Sequence, residues 1–150
     1  MLSRQFPFFN QLSSNEIFSI HQDREGYFWI GTTNGLARYD GYQLNTFRTD
    51  YKNQNLLTDN GITAINDNNL YVWIGTWKGL NLYDKKTCRI TPFSDERVQD
   101  KVVDAITVTK EEVVWVSAGS RVYRCDSTAH VLKEYELGSP QEGYSLRAIY

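Results

Sequence analysis

The sequence is short of most of the groups from which an active site is assembled. It holds two histidines and two cysteines in 150 residues. Neither His21 and His130 nor Cys88 and Cys125 stand at the spacing of metal ligands, a redox pair or a nucleophile with its base. The histidines read as packed or solvated side chains, and neither a metal site nor a cofactor is expected. Basic runs are also missing: with a formal charge of −2 and a pI near 5.7, this segment is not expected to bind nucleic acid or an anionic membrane. No stretch approaches the ~18 apolar residues of a spanning helix, so a membrane would be met only through segments outside this sequence. Met1-Leu2-Ser3-Arg4-Gln5 lacks the apolar core of a signal peptide. Nor does any window of ten or more residues carry a helical apolar period.

What is present is a repeat. Three tryptophans recur in near-identical surroundings, Phe28-Trp29-Ile30-Gly31-Thr32, Val72-Trp73-Ile74-Gly75-Thr76 and Val114-Trp115-Val116-Ser117-Ala118, at intervals of 44 and then 42 residues. Upstream of each lies an apolar tetrad: Ile17-Phe18-Ser19-Ile20, Ile62-Thr63-Ala64-Ile65 and Val103-Asp104-Ala105-Ile106. Downstream of each a second run opens: Leu36 to Asp40, Leu80 to Asp84 and Val122 to Asp126. A fourth tetrad stands at Leu146-Arg147-Ala148-Ile149. One unit copied along the chain therefore sets the fold.

Within a unit the runs are short, rich in Ile, Val, Trp, Tyr and Phe, and parted by Asp, Asn and Gly, the pattern of strands joined by tight turns. In the first unit the expected strands are A, Ile17 to Gln22; B, Tyr27 to Thr32; C, Leu36 to Tyr39; and D, Gln43 to Arg48. Asp23-Arg24-Glu25-Gly26, Asn34-Gly35 and Asp40-Gly41 supply the turns, glycine reaching positive φ without a Cβ clash. A four-stranded meander repeated every 40 to 45 residues indicates a β-propeller blade; the rungs of a β-solenoid are usually shorter. The chain is thus expected to be all-β, a β-propeller fragment of three four-stranded antiparallel blades plus the first strand of a fourth. The blades span about 15–50, 60–96 and 101–137, and the fourth starts at about 145–150. The small residues Ser19, Ala64, Ala105 and Ala148 suit an innermost strand where blades converge.

Propellers typically need four to eight blades to close a ring. Three and a fragment are expected either to belong to a longer protein or to pair head to tail as a homodimer that completes one ring. Phe6-Pro7-Phe8-Phe9 is a candidate outer strand for the blade begun by Leu146 to Tyr150. Cys125 takes the strand C position of Tyr39 and Tyr83 and reads as a small buried apolar residue. Cys88 falls between strands C and D; two cysteines permit at most one disulfide and leave the compartment open.

The segment Gln22 to Gly41, with Gly26, Trp29-Ile30-Gly31-Thr32, Gly35-Leu36 and Tyr39-Asp40-Gly41, resembles the two-component regulator propeller repeat of periplasmic sensors in Bacteroides-type hybrid two-component systems. Leu12-Ser13-Ser14-Asn15-Glu16-Ile17 is similar to the lead-in to a first blade of such sensors. The second unit keeps Trp73-Ile74-Gly75-Thr76 and Gly79-Leu80 but has Asn66-Asp67-Asn68-Asn69 at its first turn. The third has Ser117 and Arg121 where glycines stood. The resemblance implies part of a periplasmic ectodomain of an inner-membrane protein, without catalysis in this segment. It also implies an oligosaccharide ligand and a signal passed across the membrane to a histidine kinase. Trp29, Gly31, Gly35, Trp73, Gly75, Gly79 and Trp115 carry scaffold, not specificity.

Ligand candidates are the departures from the repeat on the face shared by the B–C turns and the D–A connections. Trp77 stands in a two-residue turn where the other units have Thr33 and Gly119. It is placed either to stack on a pyranose ring or to pack against a neighbouring blade, chain or domain. Lys78 and Arg121 on the same rim offer cationic donors to an acidic sugar; Arg121 equally marks a turn shifted onto Gly119. The amide-rich connection with Tyr51, Asn53 and Asn55 matches sugar hydroxyls and ring faces, or is a solvated loop. The recurrent Asp23, Asp40, Asp84 and Asp126 read as turn caps instead of a catalytic pair or calcium ligands. Two other classes stay open: a propeller enzyme acting on glycans, a lyase or an Asp-box hydrolase, and a protein-binding scaffold. For an enzyme, no second carboxylate or histidine is placed by motif.

Overall fold

The computed structural model describes residues 12, 16–49 and 56–137. Twelve strands run in chain order: β1 (Ile17–Gln22), β2 (Phe28–Thr32), β3 (Gly35–Tyr39), β4 (Leu44–Phe47), β5 (Ile62–Asp67), β6 (Tyr71–Thr76), β7 (Gly79–Asp84), β8 (Arg89–Pro92), β9 (Val103–Val108), β10 (Val114–Ala118), β11 (Arg121–Cys125) and β12 (Val131–Glu136). They form three four-stranded antiparallel sheets, each a meander in sequence order. These are the three blades expected from the repeat, with strand ends within a residue or so of those read from the first unit. The tetrad at Leu146 to Ile149 and the candidate strand at Phe6 to Phe9 lie outside the described residues.

The turns follow from their chemistry. Gly26, Gly35, Gly41 and Gly79 all have φ between 92° and 120°, a region closed to most side chains. In the third blade Gly119, with φ 62°, supplies the left-handed residue of the B–C turn. Arg121 opens β11 in the register of Gly35 and Gly79, so the turn itself is not shifted; only its left-handed residue moves, two positions back to Gly119. Asp40 Oδ1 accepts from the Tyr42 and Gln43 N–H groups, Asp84 Oδ1 from Lys86 and Thr87, and Asp126 Oδ1 from Thr128 and His130. The recurrent aspartates are turn caps.

The blades stack through the tryptophan strands. On β6 one face of the strand looks back at the first blade and the other forward to the third, while β2 faces the second blade through Trp29. Trp29 and Leu36 of the first blade pack against Ile62, Ile65, Val72, Ile74 and Tyr83 of the second. Trp73 and Leu80 do the same against Val103, Ile106, Val114 and Val116 of the third. Strands β1, β5 and β9 touch in succession and so are innermost. Close approach is made at glycine. A Cβ on Gly31 would meet Ile62 Cγ2 at 2.5 Å, and one on Gly75 would meet Val103 Cγ1 at 2.6 Å. Cys125 is fully buried, with its thiol pushed up to about 12 by burial. Cys88 is exposed, and both cysteines are free.

Candidate functional site

The two faces of the blade array are built differently. On the face of the B–C turns and D–A connections, loop backbone is pinned to the strand ends. Asn60 accepts from Gly35 N–H at 2.6 Å through its carbonyl and from Thr49 N–H at 2.9 Å through Oδ1. Thr58 joins a triad with Asn81 and Thr76, its N–H donating to Asn81 Oδ1 at 3.1 Å and its hydroxyl lying 3.1 Å from that of Thr76. Gly61 N–H donates to Asp59 Oδ1 at 2.8 Å, and the Gly61 carbonyl accepts from Trp77 N–H at 3.1 Å.

Trp77 lies on this scaffold. A Cβ on Gly61 would come within 2.6 Å and 2.7 Å of the indole atoms Cε3 and Cδ2, so only glycine lets the ring rest directly on backbone. The rest of the ring is open: Trp77 is 47% exposed. Phe18, 49% exposed on β1, stands 6.1 Å away between centroids at a 49° tilt. The pair forms a shallow aromatic wedge contributed by two blades. Water contact on so much ring surface, in positions held by backbone hydrogen bonds, leaves an apolar platform for a flat partner.

Of the residues singled out in the sequence, Lys78 is exposed on the Trp77 turn, its N–H held by Thr76 Oγ1 at 3.0 Å. Arg121 is not poised beside it as a free donor: Nη1 turns to Glu134 Oε1 at 3.7 Å on its own blade. Tyr51, Asn53 and Asn55 lie outside the described residues. Trp29 and Trp73 are fully buried scaffold, whereas Trp115 is half-buried and stacks on Tyr135 with centroids 5.8 Å apart. Phe18 and Gly61 were missed by sequence reasoning, though both are departures from the repeat. Phe18 answers to Thr63 and Asp104, and Gly61 to Glu16 and Val102.

The opposite face, of the A–B and C–D turns, carries an ionic cluster that joins all three blades. Asp67, 4% exposed in its side chain, lies at the centre. One oxygen meets His21 Nε2 at 2.6 Å; the other meets Lys85 Nζ at 2.7 Å and Arg24 N–H at 3.1 Å. Burial raises the Asp67 pKa, but the His21, Lys85 and Arg24 bonds outweigh it and hold the carboxyl down at about 2. Arg24 also bonds Asn69 and Glu112, and Glu112 accepts from Asn69 N–H. Arg24 and Lys85 are each paired with carboxylates, so the cluster is a clasp between blades and neither offers a free cation to a ligand. Among the described residues no three His, Cys, Asp or Glu side chains gather as metal ligands.

Comparison with known proteins agrees with this architecture. The family model for the two component regulator propeller matches residues 11–34. No curated protein matches the chain. Among solved structures, the extracellular domain of the hybrid two component system BT3049 from B. thetaiotaomicron is 27% identical with a TM-score of 0.67, over 83% of this chain and 19% of that one. The extracellular domain of BT4673 from the same organism is 18% identical, TM-score 0.68, over 86% and 17%. Virginiamycin B lyase from Staphylococcus aureus, 17% identical with TM-score 0.63 over 83% and 42%, shares the fold alone. The chain spans about a fifth of the length of the two extracellular domains. It carries a two component regulator propeller repeat and builds three blades of a propeller like those of the B. thetaiotaomicron extracellular domains.

Proposed function

We propose that this chain is part of the ligand-sensing ectodomain of a periplasmic, inner-membrane-anchored two-component sensor. Its loop face takes an oligosaccharide, and the signal passes through a membrane helix to a histidine kinase. The observation that carries the ligand reading is the half-exposed Trp77–Phe18 wedge resting on Gly61. A sugar ring offers an apolar face for such a wedge and hydroxyls at its rim for Lys78 and the neighbouring loop. The segment itself is not catalytic: the turn carboxylates that repeat along the chain are bonded to backbone N–H groups and do not converge as an acid and base.

The test is titration of the chain with a panel of neutral and acidic oligosaccharides, followed by calorimetry and tryptophan emission, on wild type, Trp77→Ala and Phe18→Ala. At least one saccharide is expected to bind, with Trp77→Ala weakening it about tenfold or more while circular dichroism is unchanged. Saccharide binding that both variants leave intact refutes this site. The location and signalling role are checked by reading the gene beyond Tyr150, where a membrane helix and kinase are expected.

A further inference from the structure

Arg38 stands in the seam between the first and second blades with its charge unanswered. It lies on β3 opposite Trp29, two residues before the C–D turn, and so shares the Trp29 face that the second blade covers. Its guanidinium carbon is 4.0 Å from the centroid of the Tyr27 ring, 5.9 Å from that of Trp29 and 5.8 Å from that of Tyr83. Two blades thus supply a cage of aromatic rings for one cation, which ring quadrupoles attract through their faces.

The edge of the guanidinium is not held. Nε is buried and has no hydrogen-bond partner. Nη1 and Nη2 make no hydrogen bond or ion pair among the described residues, and they are not shut away as Nε is. Nearby groups do not supply the missing anion. Asp40 is held below the usual carboxylate range chiefly by the Gln43 and Tyr42 N–H groups that it caps, and only in lesser part by Arg38. Glu25 pairs with Lys85. Burial, with a bond to Cys88, pushes the Tyr83 hydroxyl up to about 12, so it stays a neutral phenol near neutral pH.

Packing does not require this charge. The same register position, opposite the tryptophan, is Leu82 in the second blade, buried in the apolar cluster of the seam with the third. In the third blade it is Arg124, opposite Trp115, where the described residues include no following blade. Among them, only at Arg38 do two blades enclose a guanidinium. A cation drawn into a seam, with one nitrogen desolvated and no anion beside it, costs more than leucine unless an anion meets it.

We propose that the Nη edge of Arg38 is a binding site for an oxyanion: a carboxylate, sulfate or phosphate group that meets the guanidinium end-on. With Nε buried and rings crowded about the cation, the two Nη nitrogens are the donors left, and their N–H groups match two oxygens of one such group. The site lies toward the A–B and C–D turns, on the opposite face from the Trp77–Phe18 wedge, and does not depend on a saccharide binding there.

The test is titration of the chain with sodium acetate, sulfate and phosphate, against chloride at constant ionic strength. Glucuronate and a sulfated glucosamine carry the same groups on a sugar. Binding is read by calorimetry and by the NMR resonance of the buried Arg38 Nε–H. At least one oxyanion is expected to saturate the chain and shift that resonance. Arg38→Leu, the residue that the next seam uses, should abolish binding with circular dichroism unchanged. Arg38→Lys, which keeps the charge without the paired N–H groups, should weaken it about tenfold. Lys86→Ala, which removes an exposed cation from the neighbouring turn, should leave it unchanged. A sugar-borne group bound about tenfold or more tighter than the free ion assigns the anion to an acidic saccharide, and equal affinity assigns it to the free ion. If Arg38→Leu does not fold, the wild-type Nε–H resonance, identified by its absence from Arg38→Lys, decides alone. No saturable response to any oxyanion overturns the proposal. So does binding that leaves that resonance unmoved or persists undiminished in Arg38→Leu.

Discussion

Gly75→Ala isolates the energetics of a blade seam in a single methyl group. Gly75 is not among the positive-φ glycines, so alanine suits its backbone. In open space the exchange would stabilise the chain by about 0.4–1 kcal/mol, by restricting the unfolded state. Space is not open: the new Cβ lies 2.6 Å from Val103 Cγ1, 2.8 Å from Val103 Cβ and 3.2 Å from Thr63 Oγ1. Val103 is fully buried and its branched side chain has few rotamers to retreat into. Overpacking of this kind costs about 1–3 kcal/mol, so the net expectation is a loss of about 1–2 kcal/mol. Urea unfolding followed by tryptophan emission reads it as a lower midpoint at constant slope. The mechanism is checked by Val103→Ala, which removes the nearest clashing atom: in the double variant the two losses should fall short of their sum by about 1 kcal/mol. Gly26→Ala and Gly41→Ala are the complementary controls, since nothing lies within 4 Å of either new Cβ and both have φ above 90°. They lose stability through backbone alone, about 1–2 kcal/mol. A Gly75→Ala chain as stable as wild type, or strict additivity with Val103→Ala, refutes the seam argument.

Three more outcomes follow from the structure. Asp67→Asn, which strips the anion from partly buried Lys85 and His21, should cost about 2–3 kcal/mol at neutral pH. Because the folded carboxyl sits at about 2 against an ordinary 3.8, the wild-type advantage is full above about pH 4 and fades as pH falls toward 2, which urea midpoints across that range will show. Asp23→Asn leaves the buried Trp29 indole N–H, now 2.8 Å from Asp23 Oδ2, without an acceptor and should cost about 1–3 kcal/mol. Loss of the shifted indole proton resonance in NMR spectra marks that site. Finally, thiol titration of the folded chain near pH 8 should find Cys88 and miss Cys125 until denaturant is added, since burial holds the Cys125 thiol up at about 12.

The strands, turns and blade order were legible because each depends on residues adjacent in sequence. Val72-Trp73-Ile74 is a continuous apolar run because β6 is covered on one face by the first blade and on the other by the third, and Asn34-Gly35 is a turn because Gly35 alone reaches φ 115°. The ionic clasp was not legible. Asp67 sits in the polar run Asn66-Asp67-Asn68-Asn69 and looks like turn chemistry, yet it closes β5 and finds partners 46, 43 and 18 residues away. Asn68 is the true counterpart of Asp23, and as an amide it has no second acceptor: it bonds the Leu70 and Tyr71 N–H groups and donates to Ser127. The Trp73 indole N–H consequently finds no acceptor among the described residues, although the peptide pattern around Trp73 is the same as around Trp29. Sequence comparison of units sees the substitution but not the lost bond. The rim shows the converse. Trp77 was visible as a departure from the repeat, while Arg121, visible for the same reason, is drawn aside by Glu134, which stands in a different strand.

The position of the aromatic wedge gives ligand binding a mechanical consequence. Phe18 belongs to the first blade and Trp77 to the second, so a ring held between them bridges the seam that Gly31 and Ile62 close beneath it. The same two blades are clasped on the far face by Asp67, His21 and Lys85. A ligand on the wedge therefore adds to one side of a joint already fixed at the other and in the middle, and it can only favour the arrangement in which both rings face it. In a repeat array, stability is a sum of units and seams, so binding should appear as tighter coupling of blades one and two, with a gain of about 2.7 kcal/mol at a hundredfold excess over Kd. A ligand that bound the third blade alone would leave that seam unchanged. Under the sensing role proposed above, a site across a joint would make occupancy and blade geometry one variable.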